Sequence, residues 1–488
     1  MKRGLDIWTR ALTRTVGLVA PAFAMRWAAN RQRMLSYVGA RRGGHNRAWR
    51  PRRKSADAIL RKDASLLVAR ARDLVRNNTY VDGALDKICD NVVHTGIRPQ
   101  FTHATTKEPL NHLEAEWRTW SDRIGLTEIQ ALALRHWWID GEILAHDWLD
   151  ADWLTDGVCP LRLTLHESDI LNETIDGWLS DAEYAKRGIV FNIKGDPVRY
   201  SCYTAHPGDY LSGQLDTVDY AADHIIHFFL RKRASQTRGV SRLAPLIEEI
   251  RDLSEYQSSE RIAARLAAAF GIFVKTNEYG AMADNPMGGA IGNGDGVGEQ
   301  PGLSDFIDPG RIQMLPVGTE IQVAKSDRPG NTYEPYVKSS LKGQSVGFGL
   351  RYGNYSHDYT ESSYSSERSA SLDERRGWTG QQYFLNQKFN TPLATRWLRT
   401  MYAVGMLSGL RPEDVRVTWQ NPGWTWIDPT KDSKAASSEL GMGVTTRRKI
   451  CASKGEDYDE IKEQLLREER ELKELREIRN DNQDAPTS

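Results

Sequence analysis

Four cysteines in 488 residues, Cys89, Cys159, Cys202 and Cys451, form no C-x-x-C pair. Such spacing suits a reducing compartment and excludes a zinc ribbon or a disulfide scaffold. Apolar runs are short as well, and none reaches the roughly 18 residues that a membrane-crossing helix needs. The nearest, Thr15 to Met25 (TVGLVAPAFAM), follows Lys2 and Arg3 as a secretory signal would, but Arg10, Arg14 and Pro21 interrupt the region. An intracellular product is expected, with no membrane partner. No G-x-x-x-x-G-K-[ST] occurs, so the chain has no phosphate loop with which to hydrolyse ATP. His166-Glu167 lacks the second histidine of H-E-x-x-H, and the strand-like setting of His224 and His227 (HIIHFF) puts them on opposite faces. No metal and no cofactor is expected.

One enzyme motif is present. Gly343-Gln344-Ser345-Val346-Gly347 fits G-x-S-x-G, the nucleophile elbow of serine hydrolases. In that fold an acid and then a histidine follow the serine, and the one histidine after Ser345 is His357. The preceding YVKSSLK also makes a poor buried strand, so a hydrolase acting through Ser345 is only an alternative reading.

What the chain does contain begins with charge. Its 65 basic and 65 acidic residues cancel, but residues 1–54 carry 14 Lys/Arg against Asp6 alone, leaving a body of 51 basic and 64 acidic residues, net −13. Arg41, Arg42, Arg47, Arg50, Arg52, Arg53 and Lys54, with Trp49 among them, could neutralise phosphates, bind an acidic protein surface, or form a solvated tail. A nucleic-acid-binding protein working through this arm is the second alternative. The body is not disordered, since 40% of all residues are hydrophobic and 15 are tryptophan.

Patterning makes the body α+β. Ala56 to Asn77 reads as helix, Asn91-Val92-Val93 as a strand, and Leu113, Trp117 and Trp120 as one face of a helix. LRLTLHE, GIVFNI, VRYSCYT and HIIHFFL, between residues 160 and 230, read as short strands separated by turns. Ser241 to Phe270 forms a long amphipathic helix and Tyr336 to Leu350 a second. Ile272 to Thr276 and Arg311 to Val323 read as strands around a loop with eight glycines between Gly280 and Gly302. A helix is expected to start between Ser365 and Ser371, with Ser371-Leu372-Asp373-Glu374 as its capping box. Pro392 should kink or split it. A charged helix spans Asp457 to Arg479. Trp137-Trp138 and Trp424/Trp426 are expected in the core.

Between the second long helix and that start lies RYGNYSHDYTESSYSSERSASLDERR, rich in tyrosine and hydroxyls and without catalytic spacing. Serine and asparagine favour loops, and tyrosine offers a flat contact surface at low entropic cost.

This run resembles the lambda-type portal proteins of tailed bacteriophages, in which a tyrosine-rich stretch ending Tyr-Ser-Ser-x-Arg opens a long helix; here it is Tyr364-Ser365-Ser366-Glu367-Arg368. Further matches follow in the family's order: Tyr37-Val38-Gly39-Ala40, RARDLVRNN (70–78), NVVHTGIRPQ (91–100), Gly141-Glu142, His224 to Phe228, Arg238-Gly239-Val240-Ser241, and WIDPTKDSKAASSELGMGVTT (426–446) before an acidic helix. The resemblance implies a portal fold closing into a ring of about twelve copies. Its parts would be a basic arm (1–54), a wing (55–238 and 371–429), stem helices (239–270 and 333–350), a clip with the glycine-rich loop (271–332), a tunnel loop (351–370) and a crown with a helical tail (430–488). It implies double-stranded DNA, the terminase large subunit, a major capsid protein or scaffold and a head–tail adaptor as partners. The tunnel-loop residues facing DNA would be Arg351, Tyr352, Asn354, Tyr355, His357, Tyr359, Ser363, Tyr364 and Arg368. Twelve rods about 10 Å apart enclose a bore of roughly 27 Å, room for a duplex about 20 Å wide. The acidic body should repel phosphate there except near Arg351 and Arg368, and Tyr355 and Tyr359 should matter more to DNA retention than to assembly.

Overall fold

The period of Val81, Leu85, Ile88 and Val92, all buried, decides the first departure from the sequence reading. Four- and three-residue spacing makes them one helical stripe, so Asn91 and Val92 end helix α2 (Thr79–Val92) instead of starting a strand, although β-branched residues favour strands. Helix α1 (Ala56–Asn77) precedes it, and the Asn78 side chain caps α2 by accepting from the Tyr80 and Val81 amides. The computed structural model describes residues 48, 51, 53–210, 215–269, 273–276, 319–322, 332–360, 363–407 and 409–483. It divides into two units, Met1–Ile59 and Leu60–Ser488. Of the basic-arm candidates, Arg53 and Lys54 are described and exposed; Arg41, Arg42, Arg47, Arg50 and Arg52 lie outside the described residues, as does the glycine-rich run 280–302.

Helices α3 (Asn111–Ile124) and α4 (Leu126–Ile139) form a hairpin about Gly125, whose left-handed φ of 66° turns the chain. Trp117 and Trp120 of α3 meet across 4.8 Å, and Trp397 packs on Trp117 at 5.3 Å and on Phe101 at 5.7 Å. The Trp120 Nε1 donates to the Leu161 carbonyl at 2.8 Å, so its one polar group is satisfied inside the core. Trp137 and Trp138 are buried as expected; Trp424 is half-buried, stacked on Trp378 at 5.9 Å, and Trp426 is half-buried beneath Lys454.

Strand β1 (Arg98–His103) pairs antiparallel with a strand more than 300 residues later, Val415–Gln420. Strand β2 (Glu142–Leu149) is the middle of a three-stranded antiparallel sheet, between β3 (Leu161–His166) and a later strand, Ile225–Phe229. A five-stranded antiparallel meander follows β3: β4 (Gly177–Trp178), β5 (Glu183–Lys186), β6 (Ile189–Asn192), β7 (Pro197–Tyr203) and β8 (Thr217–Ala221). All four strand readings thus fall on strands, and Ile225–Phe229 is β9. Leu144, Ile170, Leu171, Ile189, Phe191, Tyr200, Cys202 and Ile225 form a second, smaller core under this sheet.

The first long helix begins later than expected. Residues 241–246 are a turn, in which the Ser241 hydroxyl accepts from the Leu243 amide at 3.2 Å, and the helix runs Ile247–Ala269, 23 residues or about 35 Å. The second runs Tyr333–Phe348. Their antiparallel order follows from three contacts: Tyr256 beside Tyr336 (4.7 Å), the Gln344 amide on the Glu249 carbonyl (3.4 Å), and Gly347 against Leu246. G-Q-S-V-G is therefore no nucleophile elbow. It lies in mid-helix, with Ser345 buried and its hydroxyl donating to the Lys342 carbonyl at 2.8 Å. Its glycines, four residues apart, share the face turned to the partner helix: a Cβ at Gly343 would stand 2.6 Å from the Glu249 carboxylate, and one at Gly347 would overlap the Leu246 side chain. Gly347→Val should cost about 1–3 kcal/mol by forcing the helices apart, read as a lower urea midpoint. Short antiparallel strands Phe273–Thr276 and Thr319–Gln322 lie beyond, within the two expected stretches.

After the second long helix comes a one-turn helix, Tyr352–Ser356, and then Tyr364–Leu385. The latter starts at Tyr364, not near Ser371: Ser363 is the N-cap and shares a capping box with Ser366, while Ser371 is interior. Ser-x-x-Ser closes the box as Ser-x-x-Glu would, because only an oxygen at the third position is required. Pro392 neither breaks nor splits the rod. A π turn, Asn386–Asn390, widens the helix just before it, and Thr391–Ala403 continues with Pro392 in its first turn. The tail carries helices Pro429–Gly441, Arg447–Ser453 and Tyr458–Gln483. No helix among the described residues is long and apolar enough to cross a membrane.

Candidate nucleic-acid-facing segment and the buried junction behind it

The tyrosine-rich segment is half built structure and half exposed edge. Its base is Glu374, buried on the helix Tyr364–Leu385, which accepts from the Arg351 amide at 3.1 Å and from the Asn354 side chain at 2.7 Å. Burial raises the Glu374 carboxyl above its ordinary range against the pull of those donors. The Arg351 guanidinium pairs with Glu367 at 2.5 Å, and its other arm donates to the Asn354 side-chain oxygen Oδ1 at 3.2 Å. Tyr352 donates to Asp358 at 3.0 Å. Hydrogen bonds from Thr360 and then from Tyr352 hold the Asp358 carboxyl at about 2. His357, at a φ of 56°, ends the short helix in the left-handed region.

Tyr355 is misplaced by the sequence reading. It is 3% exposed, stacked on Phe348 at 5.3 Å and near Tyr80 at 5.9 Å, and its hydroxyl donates to the buried Gln344 at 2.9 Å. It is a core residue and cannot touch a passing ligand from there. Of the other candidates, His357, Tyr359, Ser363 and Tyr364 are exposed, whereas Arg351, Tyr352, Asn354 and Arg368 are half-buried. Tyr359 donates to Asn354 at 3.2 Å and still leaves much of its ring outside. Arg368 pairs with Asp432 at 2.6 Å. Both arginines expected to attract phosphate are thus already paired with carboxylates. Glu367, Glu374 and Asp432 were the residues missed, and only the adjacency Glu367-Arg368 hinted at them.

Elsewhere in the same unit, three of the family-order motifs meet. Glu142, from Gly141-Glu142, accepts from the Arg238 Nε at 2.6 Å, from the Gly239 amide at 2.6 Å and from the His227 Nε2 at 2.8 Å. The remaining Arg238 donors reach the Arg187 carbonyl at 2.8 Å, and Glu173 and the Ser168 carbonyl, each at 3.3 Å. Gly141, at a φ of 89°, and Gly239 let the two backbones touch, since a Cβ on either would overlap the other segment's main chain. Burial alone would raise the Glu142 carboxyl, but the Arg238 charge and the His227 hydrogen bond outweigh it and hold it far below its usual range. His227 is pulled down by the same burial, against Glu142. His227 is therefore structural, and His224, in a turn just before β9, sits 3.2 Å from Asp147. The knot ties the central sheet to the turn that launches the helix Ile247–Ala269.

Glu167, Asp169 and His206 also converge, but the Arg72 guanidinium, 2.9 Å from Glu167 and 2.7 Å from Asp169, already supplies their positive charge. The arrangement offers recognition and rigidity.

The family described as phage portal protein, lambda family, matches residues 42–382. A probable portal protein of Halomonas phage phiHAP-1 is 26% identical over 457 residues, covering 89% of this chain and 86% of its relative. Portal protein B of Escherichia phage lambda is 21% identical, covering 87% of each. A chain in the solved neck of an empty GTA particle aligns with 81% of this chain and 94% of its own length, at 13% identity and a TM-score of 0.43.

Proposed function

The chain belongs to the lambda family of phage portal proteins, and from that premise we propose how its residues serve the DNA channel of the head–tail vertex. The family is a structural one, and its place is the virion. In our reading about twelve copies close the ring, assembled in the host cytoplasm. The helices Ile247–Ala269 and Tyr333–Phe348 are the stem, the strands beyond them the base of the clip, and the three tail helices the crown. The terminase large subunit and later the head–tail adaptor dock on the clip, and the capsid protein or scaffold on the wing.

The observation that carries the reading is the exposed edge formed by His357, Tyr359, Ser363 and Tyr364, with Arg351 and Arg368 beside it already neutralised. Such an edge offers hydroxyls and aromatic faces to a duplex without a net positive charge. Weak, sequence-independent contacts let DNA slide, whereas a ring of free arginines would release counterions and grip. The rigid base built on Glu374 fixes where the edge stands.

The test is a DNA-retention assay on filled heads carrying Tyr359→Ala with Tyr364→Ala. Rings should form in parental yield while nuclease-protected DNA per head falls several-fold. Equal loss of rings, or unchanged retention, would overturn the assignment.

A further inference from the structure

Arg242 lies on the faces of two tryptophans, its guanidinium carbon 4.5 Å from the Trp137 ring centre and 4.1 Å from that of Trp138. Its Nε is buried without a hydrogen-bond partner, and among the described residues no carboxylate pairs with it. Burial alone pulls its pKa down to about 10. The nearby Lys232 ammonium is lowered by burial and then by Arg242, and it too has no ion-pair partner among the described residues. The loop that presents Lys232 is built, not slack: buried Gln236 accepts from the Lys232 amide at 2.9 Å and donates to the Arg238 carbonyl at 2.8 Å. Two neighbouring cations, Arg242 half-buried and Lys232 exposed, thus stand without an anion among the described residues.

The matching anions lie close by in the chain. Glu248 and Asp252, one turn apart at the start of the helix Ile247–Ala269, are exposed and in no ion pair among the described residues. In a ring, rotation about the axis preserves height, so a neighbour contact joins residues at the same level. The cationic loop and the acidic pair both flank the start of this helix, and so meet that condition.

We propose that Lys232 and Arg242 of one copy form half of an inter-subunit ion-pair site that Glu248 and Asp252 of the adjacent copy complete. The proposal rests on the ring reading above. It is a head-to-tail contact, with different patches on its two sides, as a closing ring requires. Desolvated charge pairs across interfaces couple by about 1.5–7 kcal/mol, so losing one should weaken closure at least about tenfold.

The test uses two full-length variants, Lys232→Glu with Arg242→Glu, and Glu248→Lys with Asp252→Lys, with ring content measured by mass photometry and particle images. Each alone should close rings at least about tenfold less readily than the parent. An equal mixture should restore rings, because opposite charges again face one another when the variants alternate. Arg231→Glu with Lys232→Glu, which leaves the tryptophan stack untouched, stands in for the first variant if its thermal unfolding departs from the parent's. Rings from either variant alone in parental yield, or a mixture of folded variants that stays open, would overturn the proposal. Rings in parental yield with impaired DNA retention would also overturn it, and would assign the cations to phosphate. A parent that never closes rings would instead bring down the portal reading itself.

Discussion

Glu142→Gln should destabilise the protein by about 3–5 kcal/mol, the usual cost of removing one partner from a buried ion pair. The side chain left behind, Arg238, is only 1% exposed and cannot turn to water. Glutamine keeps the shape, so the loss reports charge and not a cavity. The measurement is equilibrium urea unfolding at neutral pH, with Glu367→Gln as a control: its partner Arg351 is about a quarter exposed, and that change should cost about 1 kcal/mol or less. The pH dependence has a definite sign. Glu142 titrates below its ordinary 4.5 in the folded chain, so its contribution is complete above about pH 4.5 and disappears as pH falls toward the lowered folded value. His227, held below 6.5, opposes folding once the unfolded chain takes up a proton, so its penalty begins just below pH 6.5. Parental stability should therefore fall in two stages on acidification, and the second should be smaller in Glu142→Gln, where Asp140 and Asp358 still contribute. A variant with parental stability at pH 7 would mean that water reaches Arg238.

Tyr355→Ala should cost about 3–5 kcal/mol, as expected for truncating a fully buried aromatic ring. The ring packs against both Phe348 and Tyr80. Tyr355→Phe keeps the packing but strands the Gln344 carbonyl oxygen, a buried acceptor, at about 1–3 kcal/mol. Both changes should lower the thermal midpoint, with ring yield and DNA retention declining together. That pattern is opposite to the one expected for Tyr359 and Tyr364. Loss of retention with unchanged stability would put Tyr355 back on the channel side.

The contrast between these tyrosines marks what could be read in the sequence. Helix α3, the four strands between residues 160 and 230 and both long helices were legible because burial follows periodicity. The identity of the motifs was legible too, but not their convergence: Glu142, His227 and Arg238 are 85 and 96 residues apart, and no local pattern announces a contact made by sheet register. Tyr355 could not be told from Tyr359, since the short helix ends between them at His357, whose left-handed turn leaves one ring inside and the other outside. The start at Tyr364 was missed because an acid at the third position was sought where a second serine serves. G-x-S-x-G misled for a related reason. Small residues four apart mean a nucleophile elbow after a strand and a close helix contact within a helix, and only the surrounding fold distinguishes the two.

That contact has a mechanical side. With Gly343 and Gly347 seated against Glu249 and Leu246, the two helices interlock along a shallow trough and have little freedom to roll past each other. Force applied at the distal strands would then reach the rest of the fold as tilting of one stiff beam, because interlocked rods swing together before they shear.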